Sequence, residues 1–427
     1  LGVLKISAAT KGNSFSATAK VNTAMTVGDV EYYGKVEASG LKSIGSVVNA
    51  NRADDAWFDK RKYSNLHYGD GSMTEDIYSD ATKITAMNVD AGAASVTIRG
   101  AAAKKGVEAQ LTAVTGYILG YGKVTLSDVI VGGKDPVVYA AGKYAFTSKT
   151  DKDGKFIATS TSTAVGKLSI SSAKAVKDAT FAVEGFKDVS IDITGEGTAA
   201  PVFTRIIGGT ETAQLTNGHL DYTTYAVSGT LDVATIGGTV DYVAGFEKVN
   251  LKDTNAGTVA GYAITAQKDG NKWEQAIVGK SAVTFENTAA AGNTVDTIDN
   301  AKSVTFKASN DADTDFDVGA ILSSEEVDMD ILFEKCQTAM DLQNFSLNDG
   351  DEIKLTSTGA FGDGTWSTIE LEGLTADTLA SYFDNIEGTS FSGKGTLLAA
   401  VTEDQFKLAI DGKVEIGKDI AFQSLLA

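Results

Sequence analysis

The chain carries one cysteine, Cys336, and two prolines, Pro136 and Pro201, in 427 residues. A single thiol excludes any intrachain disulfide, so stability has to come from packed area rather than from cross-links. Two prolines exclude a proline-rich stalk or linker. Arginine is also scarce. Only Arg52, Arg61, Arg99 and Arg205 stand among 37 basic residues, against 56 acidic ones, for a net charge of −19. Nucleic-acid and phosphate sites favour arginine forks on a basic face, so no nucleic-acid partner is expected. An acidic surface suits solubility, mutual repulsion or divalent cations. No run of apolar residues is long enough for a membrane-spanning helix. A basic segment leading into an apolar one is missing at the start, and a chain beginning at Leu1 is compatible with a removed signal peptide.

What is abundant is glycine, with 45 residues, and a 43% hydrophobic content that promises a core. Through the first 320 residues, short runs rich in Val, Ile, Thr, Phe and Tyr alternate apolar and polar positions between Gly, Asn and Asp. That is the pattern of strands and turns. Lys143–Ser148 and Lys155–Thr159 flank Asp151-Lys152-Asp153-Gly154 and predict a hairpin turning at Asp-Gly. The one helix expected here is Ala101 to Val114, interrupted by Gly106.

A degenerate unit recurs. Gly185-Phe186-Lys187-Asp188-Val189-Ser190-Ile191 matches Gly245-Phe246-Glu247-Lys248-Val249-Asn250-Leu251. Looser copies are Asn300-Ala301-Lys302-Ser303-Val304-Thr305-Phe306 and Tyr121-Gly122-Lys123-Val124-Thr125-Leu126, with a faint one at Leu41-Lys42-Ser43-Ile44. Each is a small or polar turn, then a basic residue, then apolar residues two apart. A spacing of roughly 55–65 residues suggests stacked sheet modules or coils of a solenoid.

Near residue 320 the pattern changes. Ser323-Ser324-Glu325-Glu326 fits a capping box, and Val327, Ile331, Leu332, Ala339 and Met340 predict a helix to about Leu342. Thr375–Phe383 and Thr402–Ala409 read as two further short helices, with strands at Glu352–Leu355 and Thr368–Leu371 between them. The expected fold is mainly β. It is an elongated array of β-sandwich or β-solenoid modules, divided as an N-terminal β-rich region (1–130), a degenerate β-repeat region (131–320) and a small α+β C-terminal domain or cap (321–427).

The turn–strand unit, with its Thr254-Asn255-Ala256-Gly257-Thr258 tail, resembles the large secreted surface-layer and repeats-in-toxin type adhesins of bacteria. So does Asn344-Phe345-Ser346-Leu347-Asn348-Asp349-Gly350-Asp351-Glu352-Ile353-Lys354-Leu355, which is similar to the segment that follows β-roll repeats in that group. The resemblance implies export to the cell surface, β-solenoids or strings of sandwiches, frequent Ca²⁺ binding, and a role in coating or attaching cells. The Gly-Gly-x-Gly-x-Asp nonapeptide that carries Ca²⁺ in β-rolls is absent.

Among site residues, the strongest cation candidate is Asp311, Asp313, Asp315 and Asp317. Alternate carboxylates on an extended segment share a side and offer hard oxygens to Ca²⁺. Asp349, Asp351 and Glu352 form a second acidic turn, while Asp151 and Asp153 most simply shape their hairpin. His67 and His219 have no Gly-x-Ser-x-Gly elbow near them, and Cys336 reads as a small buried thiol on the predicted helix. No phosphate loop or dinucleotide fingerprint is present. Trp57, Trp273 and Trp366 suit core packing or a sugar-stacking face. The expectation is a non-enzymatic structural or adhesive surface protein. Its partners would be copies of itself in a lattice or fibre, and cell-surface polysaccharide. The alternatives are a carbohydrate-binding or polysaccharide-cleaving β-helix, in which Arg99 or Arg205 would meet an acidic cluster, and a phage or viral fibre component.

Overall fold

The computed structural model describes residues 3–5, 16–32, 35–49, 95–100, 112–114, 117–119, 123–127, 129–131, 137–139, 143–171, 180–194, 200–269, 272–288, 293–308, 315–324, 328–347, 350–356, 367–384, 386 and 388–426. Side chains are described from 147 onward, except at 180, 181 and 343. The protein is mainly β, and most of its strand pairs are parallel. Two compact units divide it: Leu1–Leu231 with Ile264–Ala276, and Asp232–Ala263 with Ile277–Ala427.

In the first unit a parallel ladder sets Val36, Val96, Val124, Leu168 and Val189 in one row and Ala38, Ile98, Leu126, Ile170 and Ile191 in the next. Leu168, Ile170, Val189 and Ile191 are buried. A second sheet, most of whose residues fall in this unit, is antiparallel and six-stranded. Its order is Lys143–Thr150, Phe156–Thr163, Thr210–Thr216, His219–Ala226, Tyr262–Asp269 and Lys272–Gly279. The expected hairpin is its first pair. Asp151 Oδ1 accepts the N–H groups of Asp153 and Lys155, each at 2.9 Å, and Gly154 takes φ +78°. That conformation suits a residue without Cβ.

The second unit holds two interleaved parallel ladders, and successive strands alternate between them. One joins Lys248–Ala260, through its first half, to Ala282–Asn287, Ser303–Ala308, Asp330–Glu334, Glu352–Thr356, Thr389–Gly393 and Val414–Ile416. The other leaves the second half of Lys248–Ala260 for Asn293–Asp299, Asp315–Leu322, Gln337–Asp341, Ser367–Thr375, Gly395–Ala400 and Ile420–Ser424. Both ladders run through residue 320 without a break.

Side chains two apart share a face, so parallel registration converts each sequence alternation into a row. Leu251, Phe285, Phe306, Phe333 and Leu355 form one inward row, and all five are buried. Phe306 stacks between Phe285 and Phe333 with ring centroids 5.4 and 5.0 Å away and planes 12° and 8° apart. Each such pair adds about 0.5–1.5 kcal/mol beyond its burial. Val249, Val283, Val304, Ile331 and Ile353 form the neighbouring inward row.

The repeat unit has a structural counterpart. Gly185, Gly245 and Asn300 take φ of +78°, +87° and +50°. The next residue in each copy, Phe186, Phe246 or Ala301, is fully buried. A strand then starts at Asp188, Lys248 or Ser303. Lys335 (φ +53°) and buried Cys336 open a further copy at Gln337–Asp341. Ladder neighbours lie closer in sequence than the copies read from the unit itself, because weaker copies such as Ala282–Asn287 intervene.

Two expectations need correction. The helix from Ser323 to Leu342 is instead two strands, Asp330–Glu334 and Gln337–Asp341, followed by a 3₁₀ turn at Leu342–Asn344. Met329, Ile331 and Phe333, then Thr338 and Met340, are buried at a period of two, and Cys336 fills the corner between the strands. The same apolar residues also fit a helical spacing, and ladder pairing on both sides decides for strand. Most of the helix expected at Ala101–Val114 lies outside the described residues, and its end, Thr112–Val114, is a strand. The two later helices are present as Leu379–Phe383 and Glu403–Ile410. They bring Phe383 and Phe406 together at 5.4 Å, and Phe406 meets Phe422 of the last strand at 5.0 Å.

Candidate functional site

Inward rows leave the alternate residues to the surface, and those residues are where binding chemistry has to sit. Of the proposed cation ligands, Asp311 and Asp313 lie outside the described residues. Asp315 and Asp317 open the strand Asp315–Leu322 on its exposed face, with buried Phe316 and Val318 pointing the other way. They therefore share a side, as the alternation predicts. Two carboxylates supply fewer oxygens than the six to eight that Ca²⁺ takes. Among the described residues no cluster of three or more His, Cys, Asp or Glu gathers for a metal.

The second acidic turn is split by the fold. Asp349 lies outside the described residues. Asp351 is 1% exposed and accepts the Met329 N–H at 2.8 Å and the Ser323 hydroxyl at 3.5 Å. It holds the loop entering Asp330–Glu334, which is a structural task. Glu352 is exposed and accepts the Ser392 hydroxyl at 2.7 Å.

His219 begins an exposed strand end, and His67 lies outside the described residues. Cys336 is 2% exposed in a strand corner, with Sγ 3.6 Å from the Phe306 carbonyl oxygen, and burial pushes its thiol well above the ordinary range. A protonated buried thiol is a poor nucleophile. Arg205 pairs with Glu184 on the adjacent strand. Trp273 is 46% exposed, while Trp57 and Trp366 lie outside the described residues.

Three outward features were not anticipated. Lys252, Glu286, Lys307 and Glu334 form a row of alternating charge on four successive strands of the first ladder, with Lys252 Nζ 3.5 Å from Glu286 Oε1. In the antiparallel sheet, Thr161, Thr212, Thr224 and Thr265 fall in one row across four strands. The hydroxyls of Thr161 and Thr212 are hydrogen-bonded at 3.2 Å. Alternation within single strands makes either row legible only once the register is known.

The third feature gathers Tyr242, Tyr262 and Asp299. The Gly261 N–H donates to the Asp299 carbonyl at 2.8 Å, placing Tyr262 beside it. Burial, and then the Asp299 charge, raise both phenols above their usual range. Burial raises the Asp299 carboxyl in turn, against a hydrogen bond from Asn300 Nδ2 at 2.7 Å. Two phenol rings beside a carboxylate combine stacking surface with a hydrogen-bond acceptor.

No protein-family model matches the chain, and no curated protein or solved structure matches it. No helix among the described residues is long and apolar enough to cross a membrane.

Proposed function

We propose that the protein is a structural or adhesive scaffold of the cell exterior that works by associating with copies of itself. The observation that carries this reading is the strand-to-strand continuity of the two parallel ladders, with one register shift between Leu371 and Thr375. We read them as the two faces of a β-solenoid whose coils follow at roughly 20–40 residues, within the range of such repeats. Parallel pairing between strands that follow one another through the other ladder is the pairing of a coil, whereas sandwiches pair antiparallel neighbours. The chemistry invested along the chain is repetitive: inward apolar rows, outward charge and hydroxyl rows. Repetitive surfaces serve extended contacts better than they serve one reaction centre. The resemblance to surface-layer and repeats-in-toxin type adhesins, a single buried thiol, and the strongly acidic balance agree with an exported scaffold. Ca²⁺ at Asp311, Asp313, Asp315 and Asp317 belongs to the same proposal, as a clamp at the start of Asp315–Leu322.

Particle size of the purified chain by light scattering, with and without chelator, tests it. Assemblies are expected, and they shrink on chelation if the acidic segment is the clamp. A monomer under both conditions contradicts self-association.

A second reading has its own observation. Tyr242 and Tyr262 beside Asp299 suit a neutral sugar, stacked on a ring and hydrogen-bonded to the carboxylate. Retention on immobilised polysaccharide, lost in Tyr242→Ala and Tyr262→Ala, would support it, and equal elution of all three proteins would remove it.

A further inference from the structure

The six-stranded antiparallel sheet ends in two strands that nothing in the sheet continues: Lys143–Thr150 on one side and Lys272–Gly279 on the other. Open edges are usually blunted by short length, proline, bulges or central charge. The second edge strand has eight residues and no proline, and it carries charge only at Lys272 and Glu274 in its first half. Residues 272–276 are all exposed, so neither face of that half is covered, and Trp273 and Val278 are 46% and 41% exposed.

Strand direction and facing can both be traced across the sheet. The first five strands pair antiparallel in sequence. The fifth and sixth are joined by two residues, 270–271, a connection that only an antiparallel hairpin allows. With an even number of strands, the two edges run in opposite directions. A second copy placed edge to edge by simple repetition therefore continues the antiparallel alternation. Facing follows the row Thr147, Thr159, Gln214, Tyr222 and Gln267. A connection of only two residues implies Asp269 opposite Lys272 and hence Gln267 opposite Glu274, which puts Glu274 on the face of Thr147. Lys149, two residues on from Thr147, lies on that face too.

We propose that Lys272–Gly279 of one copy adds to Lys143–Thr150 of a second copy, in the register that sets Glu274 opposite Lys149. That register also places Ala276 opposite Thr147 and Trp273 opposite Thr150. Unlike charges meet, facing is conserved, and the uncharged half of the open strand gains backbone partners. The contact is head to tail. It leaves a free edge at each end, so it propagates as a fibre rather than closing as a dimer. This inference rests on the self-association reading and supplies its surface.

Both charged residues are exposed and outside the core, so their reversal leaves the fold intact. Lys149→Glu and Glu274→Lys, each alone, should raise the concentration at which half the full-length chains are assembled by about three- to tenfold. The double reversal should restore the wild-type value. A second measurement mixes Lys149→Cys with Glu274→Cys under mild oxidation. A disulfide-linked dimer should form far faster in the mixture than in either variant alone, with buried Cys336 a bystander. If the wild type assembles but the reversals change nothing and the mixture does not cross-link, this edge contact is wrong while self-association stands. If the wild type stays monomeric at every concentration, both fall together.

Discussion

At the scale of single residues, the parallel register determines what each side chain is worth. Phe306 has a ring on either side and no solvent contact. Phe306→Ala removes two stacked pairs and opens a cavity, and should cost about 3–5 kcal/mol. Phe306→Leu, which keeps most of the volume, should cost well under half as much. Urea denaturation of both variants reads the difference. Asp299 tests the electrostatics. Burial raises its native pKa above the unfolded carboxylate value. Its contribution is thus fully present below the unfolded pKa and is lost as pH rises through the native one. Asp299→Asn, which preserves an acceptor for Asn300, should remove that loss. The variant should gain stability over the wild type on going from acid to neutral pH. Ultraviolet titration should also find the Tyr242 and Tyr262 phenols shifted down toward their usual range. A parallel pH profile for both proteins would contradict the assignment.

At the scale of elements, strands came through from sequence wherever alternation was unambiguous, and the hairpin at Asp151–Gly154 did so because Asp-Gly dictates its turn. The helix Glu403–Ile410 was legible for a local reason. Thr402 Oγ1 accepts the Gln405 N–H at 3.3 Å and Gln405 Oε1 accepts the Thr402 N–H at 2.9 Å, a reciprocal cap written into four residues. Thr402→Ala should cost about 1 kcal/mol, measurable as a small drop in the midpoint of thermal unfolding. The capping-box pattern at Ser323–Glu326 misled because its hydrogen bonds are claimed elsewhere. The Ser323 hydroxyl donates to Asp351, and the Ser324 N–H to Asn300 Oδ1 at 2.8 Å. Partners 24 and 28 residues away in the chain carry no local signature. Ladder register was hidden for the same reason, and with it the charge row from Lys252 to Glu334 and the threonine row from Thr161 to Thr265.

At the scale of the molecule, a chain with one thiol, two prolines and a net charge of −19 derives its order from repetition. Turn, buried residue and strand recur until inward rows are continuous. Under the proposed self-association, repulsion between acidic copies sets a threshold that edge pairing has to overcome, so association should strengthen with added salt as that repulsion is screened. The edge ion pair weakens under the same screening, but one exposed pair is worth at most about 1 kcal/mol. The most direct test of the central claim is sedimentation velocity of the purified full-length chain over a wide concentration range at low and moderate salt. Self-association predicts a distribution that moves to larger species with concentration, and further with salt. A single monomeric boundary, unchanged by either, would contradict it.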